Sequence, residues 1–261
     1  MKALIFDCDG VLAETERHLH LPAFNAAFEG FELPVRWSEA DYAEKLRVNG
    51  GKERIATAFT PEFVAANDLP TDPDSRRELL GRLHARKTQI FEEMLEARPL
   101  PARPGIARII RAASAAGWRL AVASTSAESA VRAVVRHIVA PEHAEELAIF
   151  AGDVVRAKKP DPEIYELALR QLGAAVNETI VIEDSRHGLL AARGAGLSCV
   201  VTISSYTAAE DFSEAALVLS SLGDPGRPVR VIANRTTTSP RGYITLDDLE
   251  RIMACRTVTN P

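Results

Sequence analysis

The sequence predicts an α/β protein, a doubly wound parallel sheet with an all-helical block inserted behind its first strand. Two observations lead to this fold class. From residue 101 onwards, short apolar segments of strand length alternate with amphipathic segments of helix length. Such alternation is typical of parallel strands joined by helical crossovers. Between residues 14 and 98, in contrast, the hydrophobic pattern is helical almost throughout, and no short buried-strand segment occurs there.

The predicted elements follow one another in a regular order. A first strand is expected at residues 3–6, and turn-rich stretches at 49–51 and 69–73 interrupt the helical block. Beyond the block, helices are predicted at 105–116, 127–136, 162–172 and 188–195, and strands at 118–123, 149–151, 179–182, 198–201 and 217–219. Helices should cover both faces of this sheet, and its ligands should bind outside the carboxyl ends of the strands.

Two connecting segments divide the chain into domains. Residues 13–15 open the helical block, and the proline-rich residues 98–105 close it. We therefore expect a catalytic core made of residues 1–13 and 101–222, and a helical cap made of residues 14–100. A C-terminal extension, 223–261, is rich in Pro, Gly, Arg and Thr before a final helix, which Thr245 and Asp248 introduce with a pattern like a capping box.

Composition limits the classes of partner and compartment. The formal net charge of -5 and the absence of a dominant basic segment argue against general nucleic-acid binding. No apolar run reaches the length needed to span a membrane. Three cysteines without metal-ligand spacing indicate a reducing compartment. We expect a monomer in the cytoplasm, or in an organelle stroma if a transit peptide has been removed.

Two carboxylates stand where the first strand ends. Side chains alternate along a strand, so Asp7 and Asp9 leave the sheet on the same side. Such a pair is stable when a cation lies between the carboxylates or when they share a proton. An oxygen-only site suits Mg²⁺ or Ca²⁺ better than zinc. An acidic turn in which Gly10 relieves backbone strain is the simpler alternative.

Hydroxyl residues and lysines follow later strands. Ser124, Thr125 and Ser126 lie between a strand and a helix start, where hydroxyls and backbone amides can bind an anion. N-capping of the helix explains Ser126 equally well. Lys159 precedes a proline and a proline-capped helix, so its ammonium can be held at a fixed angle, whereas we interpret Lys158 as a solvated charge.

The predicted strand at 179–182 ends in Glu183 and Asp184, an arrangement that is costly unless a cation lies there. With Asp7 and Asp9 these residues carry about four negative charges, and a phosphate ester adds about two more. One Mg²⁺ ion and the Lys159 ammonium would bring the pocket to a state that a phosphate dianion can enter. The residues therefore predict phosphate chemistry with Mg²⁺ as cofactor.

These clusters, each at a strand end and in this order, resemble the four motifs of the haloacid dehalogenase (HAD) superfamily of phosphohydrolases over roughly residues 1–220. The resemblance implies a Rossmann-like core with a mobile cap. It also implies roles: Asp7 as nucleophile, Asp9 as general acid and base, Ser124 and Lys159 as phosphate-holding catalytic residues, Asp7, Asp184 and the carbonyl of Asp9 as metal ligands, and Glu183 as an outer or water-bridged metal ligand.

Within the superfamily, residues 7–16, 49–55, 86–88 and 158–162 resemble the CbbY-type branch. That branch is related to the β-phosphoglucomutases, and its members dephosphorylate xylulose 1,5-bisphosphate, an inhibitor of the Calvin-cycle enzyme Rubisco. The Gly-Gly-Lys-Glu-Arg string at 50–54 is the distinguishing part. The proline-rich stretch 71–75 and the long tail after residue 223 depart from the family pattern.

A small phosphorylated sugar is the partner that the resemblance implies. The substrate-binding residues expected on this basis are Thr15, Glu16, His20, Gly50, Gly51, Lys52, Arg54 and Lys87 from the cap, with Ser124, Thr125 and Lys159 from the core. Lys52, Arg54 and Lys87 could hold a second phosphate, although each of them could equally be a solvated charge.

The leading hypothesis is a Mg²⁺-dependent sugar-phosphate phosphatase that acts through an aspartyl-phosphate and removes the 1-phosphate of xylulose 1,5-bisphosphate. A phosphosugar mutase of the β-phosphoglucomutase type is the first alternative, because the same intermediate could return its phosphoryl group to a sugar hydroxyl. A phosphoacceptor signalling module is a further alternative. Asp9 and the helical insert count against it, because such a module needs neither.

Overall fold

A computed structural model describes residues 1–255 of the chain, so the last six residues of the predicted extension, 256–261, lie outside the described part. Its strands form one sheet in the order β3-β2-β1-β4-β5-β6-β7. The strands are β1 (Ala3–Phe6), β2 (Arg119–Ser124), β3 (Leu147–Ala151), β4 (Thr179–Glu183), β5 (Ser198–Thr202), β6 (Leu217–Leu219) and β7 (Val231–Asn234). Neighbouring strands from β3 to β6 are parallel, and β7 is antiparallel to β6.

The register of the central strands determines where the site forms. β1 pairs with β2 on one side and β4 on the other, so that Phe6 lies level with Val122 and Ile182. The chain after Phe6 therefore leaves the sheet beside the ends of β2 and β4. Parallel strands bring all three carboxyl ends to one edge, as the sequence predicts.

Helices cover both faces of the sheet and build the cap. A π-helical turn at Glu16–His20 leads into α1 (Leu21–Gly30), α2 (Glu39–Lys45), α3 (Gly51–Ala56), α4 (Pro61–Ala66) and α5 (Pro73–Ala97). The core then carries α6 (Ile106–Ala115), α7 (Glu128–Ile138), α8 (Pro141–Ala144), α9 (Glu163–Leu172), a 3₁₀ turn at Val176–Glu178, α10 (Arg186–Gly194) and α11 (Leu246–Ala254). Among residues 1–255, no helix combines the length and apolar character needed to cross a bilayer.

The cap has its own hydrophobic cluster, in which aromatic rings pack tilted or edge-on. Phe24 and Phe28 of α1 contact Trp37 with ring centroids 5.2 and 4.8 Å apart, and Phe24 lies 5.9 Å from Tyr42. Other residues of α1 and α5, such as Ala27 and Phe91, pack into the cluster on one face of the sheet. The cap is therefore anchored on the core as well as packed within itself.

The C-terminal extension differs from its predicted description. Residues 223–242, for which the sequence predicted no strand, contain β7, which adds an antiparallel edge to the sheet. The sequence does not predict this strand, because Val231 and Ile232 stay exposed and give no pattern of alternating burial. The strand is held by its backbone hydrogen bonds to β6. The final helix begins as predicted: Thr245 caps α11, and Asp248 completes the capping box.

We expect Leu249→Ala to lower the free energy of unfolding by about 2–5 kcal/mol, because it opens a cavity beneath α11 where Leu249 is fully buried. Denaturant unfolding measures the change. Arg251→Ala, on the exposed side of the same helix, is the matched control and should change stability by less than about 0.5 kcal/mol. Equal losses in the two variants would contradict the expected packing role of α11.

Candidate active site

Three strand ends and one loop bring the polar residues together. Asp7 directly follows β1, Ser124 ends β2, and Glu183 ends β4 with Asp184 next to it. Lys159 reaches the same point from the loop before α9, and its side chain is 4% exposed. The predicted convergence of these residue types at one edge of the sheet is therefore present in the structure.

Lys159 lies at the centre of this group. Its Nζ donates to Oδ1 of Asp7 at 2.7 Å, to Oε1 of Glu183 at 2.6 Å and to the carbonyl oxygen of Ala123 at 2.8 Å. Burial by itself disfavours the ammonium, but the two carboxylates outweigh it and raise the pKa of Lys159 above its usual range. Lys159 is consequently a fixed cation.

Among the described residues, Asp7, Glu183 and Asp184 form a buried cluster whose ligand oxygens lie within 4.8 Å of one another. Burial raises the pKa of Asp7 and of Asp184 well above the ordinary value, and the neighbouring carboxylates raise it further. When ionised, these three carboxylates outnumber the one ammonium, so the site disfavours their charged forms unless a further cation is bound. An oxygen-only donor set with excess negative charge fits Mg²⁺.

Two glycines allow the carboxylates to approach. Gly10 has φ +78°, and a Cβ atom there would lie 2.2 Å from Oδ2 of Asp184. At Gly188, in the first turn of α10, a Cβ atom would lie 1.9 Å from the carboxyl carbon of Glu183. Gly10 therefore does more than relieve strain in an acidic turn, because it leaves space for an acid from another strand.

Asp9 has a different environment from Asp7. Its Oδ1 accepts hydrogen bonds from Thr15 at 2.6 Å and His20 at 2.8 Å, and its Oδ2 accepts from Ser126 at 2.5 Å. Burial would raise the pKa of Asp9, but His20 and these hydrogen bonds lower it below the usual range. N-capping by Ser126, an alternative from the sequence, is wrong: the residue preceding α7 is Ala127 and makes no side-chain cap.

His20 connects Asp9 to the cap cation Lys87. The Nδ1 atom of His20 is hydrogen-bonded to Nζ of Lys87, and its ring stacks on Phe91 at 4.4 Å. Lys87 also lies over the ring of Phe24 at 4.6 Å. Burial lowers the pKa of Lys87 to about 8, against the opposing charges of Glu16 and Asp9. A bound anion would raise this pKa again and favour the ammonium.

A second cap cation, Arg54, is held by a short polar chain. Its Nη1 donates to the hydroxyl of Tyr42 at 2.6 Å, and that hydroxyl donates to Oε2 of Glu16 at 2.5 Å. Arg54 and Glu16 are themselves 3.6 Å apart. The sequence analysis did not predict a role for Tyr42. An aromatic residue at helical spacing usually indicates core packing, and nothing in the pattern suggests that its hydroxyl connects Arg54 to Glu16.

A cavity of about 320 Å³ separates the core cluster from the cap cations. Most of the predicted site residues line it: Asp7, Asp9, Glu16, His20, Gly50, Gly51, Arg54, Lys87, Ser124, Thr125, Lys159 and Asp184. Thr15 and Glu183 are fully buried behind this wall. His84, His187 and Tyr206 also line the cavity without having been predicted, and so does Ser126, which the sequence offered either as an anion-binding hydroxyl or as a helix cap.

Lys52 lies apart from this cavity, at the boundary between cap and core. Its Nζ is 2.6 Å from Oδ2 of Asp153, and Nζ of Lys158 is 3.0 Å from the other carboxylate oxygen. The interpretation of Lys158 as a solvated charge is therefore wrong, since its side chain is 15% exposed and paired. Asn49 adds a second bridge by donating to the carbonyl oxygen of Lys159 at 2.6 Å.

Residues 1–196 match the family model of haloacid dehalogenase-like hydrolases, and the chain belongs to this family. It is 46% identical to a CBBY-like protein of Arabidopsis thaliana over 223 residues, which cover 85% of this chain and 70% of that protein. It is 40% identical to the plasmid-encoded protein CbbY of Cupriavidus necator, with 88% and 89% covered. The predicted resemblance to the CbbY branch is confirmed.

Solved structures agree with these relatives. CbbY from Rhodobacter sphaeroides in complex with phosphate matches with a TM-score of 0.75 and 39% identity, over 85% of this chain and 94% of that chain. A mutant of the same protein in complex with xylulose 1,5-bisphosphate matches equally well, at 38% identity. A β-phosphoglucomutase-like structure from Thermotoga maritima, covered to 87%, gives a TM-score of 0.55 at 26% identity over 78% of this chain.

The fold class and the class of enzyme are thereby confirmed. The sheet and its helices are those of a HAD-like hydrolase, and the chain is a phosphatase. A phosphorylated carbohydrates phosphatase of Thermotoga maritima is 30% identical over 199 residues, 76% of this chain and 82% of that protein. Neither the mutase nor the signalling module is favoured by these relatives.

We expect Asp153→Asn to raise KM for a phosphate ester about twofold to fivefold at low salt, because the bridge from Lys52 to the core is weakened, and to change little at high salt. Steady-state kinetics at two ionic strengths measure this. Glu166→Gln, which removes an exposed ion pair within α9, is the control. A KM equal to that of the parent at low salt would show that the bridge does not bias the cap.

Proposed function

We propose that this protein is a Mg²⁺-dependent sugar-phosphate phosphatase that removes the 1-phosphate of xylulose 1,5-bisphosphate through an aspartyl-phosphate. The observation that carries the proposal is the cavity itself, which has Asp7 and Lys159 on one side and the cations Arg54 and Lys87 on the other. A solved relative that binds xylulose 1,5-bisphosphate supports this choice of sugar.

The first step is attack on phosphorus by a carboxylate oxygen of Asp7. Lys159 holds that carboxylate and lies where its charge can stabilise the equatorial phosphoryl oxygens. Ser124, buried at the end of β2, supplies a hydroxyl on the same wall. The bond from phosphorus to the sugar oxygen breaks as the bond to Asp7 forms.

Asp9 handles the proton in both half-reactions. It protonates the leaving sugar oxygen, and it later accepts a proton from the water that attacks the phosphoryl group on Asp7. The hydrogen bonds from Thr15, His20 and Ser126 orient its carboxylate toward the cavity. A phosphate dianion beside Asp9 raises its pKa, which makes proton transfer to the leaving oxygen easier.

Asp7, Asp184 and the backbone carbonyl of Asp9 would hold Mg²⁺, with Glu183 behind them. When bound, the ion supplies positive charge that lets a phosphate dianion approach the carboxylates. Glu183 is fully buried and does not line the cavity: its Oε1 accepts hydrogen bonds from Lys159 and Tyr165, and its Oε2 accepts one from the backbone N–H of Asp184 at 3.2 Å. Its part is therefore to fix Lys159.

The cap residues are proposed to bind the rest of the substrate. Arg54 and Lys87 are buried cations at the cavity wall and suit the distal phosphate, whereas Lys52 is paired with Asp153 outside the cavity and is not assigned to it. Glu16 and His20, nearer the core, suit sugar hydroxyls. Buried cations bind phosphate more strongly than exposed ones, because water screens them less.

We expect Asp7→Asn to abolish turnover and to leave the fold intact. The amide cannot attack phosphorus, and its loss of charge removes both the cost of burying that charge and the repulsion from Glu183 and Asp9. Thermal unfolding should therefore occur at an equal or higher temperature than in the parent when both are measured without metal. Asp74→Asn, which removes an exposed carboxylate of α5, is the control. Near-normal phosphate release by folded Asp7→Asn protein would refute the nucleophile assignment.

We expect chelation by EDTA to silence the enzyme, Mg²⁺ to restore it, and Ca²⁺ to restore it poorly because its looser coordination misaligns in-line attack. A second readout is independent of activity. Mg²⁺ should raise the unfolding temperature of the parent and should not do so in Asp184→Asn. Full activity in chelator, or equal stabilisation of both proteins, would contradict the metal assignment.

We expect Lys87→Met to lower kcat/KM for xylulose 1,5-bisphosphate about tenfold to hundredfold more than for xylulose 1-phosphate, because only the bisphosphate uses the distal cation. Comparing the loss of kcat/KM between the two substrates cancels any effect that Lys87→Met has through His20, because such an effect acts on both substrates. Arg86→Met is the matched control, since Arg86 precedes Lys87 on α5 but pairs with Glu93 at the surface. Release of free phosphate with xylulose 5-phosphate as co-product distinguishes hydrolysis from mutase activity.

A ratio that stays unchanged in Lys87→Met would show that the cap recognises another part of the substrate. Equal rates on bisphosphate and monophosphate in the parent would contradict the choice of substrate while leaving the phosphatase chemistry in place.

A further inference from the structure

Two linkers connect cap and core: residues 13–15 form the first linker and residues 98–105 form the second. Arg103, in the second linker, is a buried arginine that the reaction described above does not use. Its side chain is 9% exposed. Nη1 donates to the carbonyl oxygens of Gly10 and Thr202, and Nη2 donates to those of Ile203 at 2.6 Å and Ser220 at 2.9 Å. A guanidinium that bonds to carbonyls from distant parts of the chain fixes their relative positions.

The strands involved surround the catalytic edge. Gly10 follows β1, Thr202 ends β5, and Ser220 follows β6. In the sheet, β4 lies between β1 and β5. Arg103 therefore bridges across the end of β4, the strand that carries Asp184 directly after it.

Both segments that Arg103 holds contact Asp184. Gly10 provides the space that Asp184 occupies, since a Cβ at this position would lie 2.2 Å from its Oδ2. Ser204, which follows Ile203, hydrogen-bonds to the carboxylate of Asp184. Gly10 is also adjacent to Asp9 in the chain. A shift of either segment would therefore displace Asp184, and a shift of Gly10 would displace Asp9 as well.

Arg103 is joined to the first linker as well. Its Nε lies 3.4 Å from Oε1 of Glu14, and the other oxygen of Glu14 accepts a hydrogen bond from the backbone of Ser205 at 3.3 Å. The backbone N–H of Arg103 donates to the carbonyl of Leu12 at 2.9 Å. Both linkers thus meet at one side chain.

We propose that Arg103 is a positioning residue for the phosphatase reaction: it holds the Gly10 and Ile203–Ser204 segments around Asp184 and joins them to the two linkers of the cap. It touches neither substrate nor reacting atoms. This inference rests on the phosphatase activity, and it is independent of which sugar or metal the enzyme takes.

Arg103→Lys tests the role while it keeps the charge, because one ammonium cannot reach all of these carbonyls. With p-nitrophenyl phosphate as a general substrate, we expect kcat to fall about tenfold to hundredfold, the cost of misplacing reacting groups by about 1 Å, with KM nearly unchanged. Because this assay uses no sugar phosphate, its result can be interpreted even if xylulose 1,5-bisphosphate is not the substrate.

Arg108→Lys is the matched control. Arg108 is a half-buried arginine five residues further on that donates to the carbonyls of Gly223 at 2.7 Å and Ile244 at 2.8 Å, in the C-terminal extension. Its replacement should lower the unfolding temperature and leave kcat unchanged. Equal kcat in the two lysine variants, at comparable loss of stability, would overturn the proposal.

Chemical rescue provides a readout that a general loss of stability does not give. Arg103 lines a cavity of about 920 Å³ at the linkers, through which a small solute can enter. Methylguanidinium at millimolar concentration should restore part of kcat in Arg103→Ala, and methylammonium should not. Rescue by both cations, or by neither in folded protein, counts against the proposal. If Arg103→Ala does not fold, the comparison of the two lysine variants decides.

Discussion

The structure depends on one electrostatic arrangement, the buried contact of Lys159 with Asp7 and Glu183. Both carboxylates come from neighbouring parallel strands, and the lysine comes from a loop 152 and 24 residues away in the chain, respectively. Each charge would be costly to bury alone, so the ends of β1 and β4 and the loop before α9 are stable only together. The ion pairs of Lys159 therefore fix the register of β1 against β4, and the same ion pairs place the carboxylates of the site.

The two sides of the cavity are complementary in charge. The core side has more carboxylates than cations, whereas the cap side places Arg54 and Lys87 near Glu16 and over aromatic rings. Burial lowers the pKa of Lys87 in the absence of an anion. An anionic group bound on the cap side would favour the charged form of Lys87, and a cation bound among the core carboxylates would offset their repulsion, which is the pairing that the proposed bisphosphate and Mg²⁺ would supply.

The sequence was sufficient for the parts of the site that local pattern determines. Asp7, Glu183 and Lys159 could be found because each lies at a strand end or beside a proline, and parallel strands share one edge. The role of Arg103 and the contact of Ser126 with Asp9 could not be assigned, since these partners lie 93 to 117 residues apart and nothing in the local pattern joins them. The edge strand β7 was missed for the same reason: its pairing with β6 satisfies the backbone, and its side chains stay exposed.

The hydrogen bonds of Asp9 connect the position of the cap to the orientation of the carboxylate that is proposed to transfer protons. The carboxylate of Asp9 receives Ser126 from the core, Thr15 from the first linker and His20 from the start of the cap. His20 is in turn held by Lys87 of the cap. Displacing the cap would therefore remove donors from one oxygen of Asp9 and leave the other bonded. If Asp9 has the proposed role of acid and base, it is correctly oriented only when cap and core are together, and water that reaches an open site meets a misaligned base.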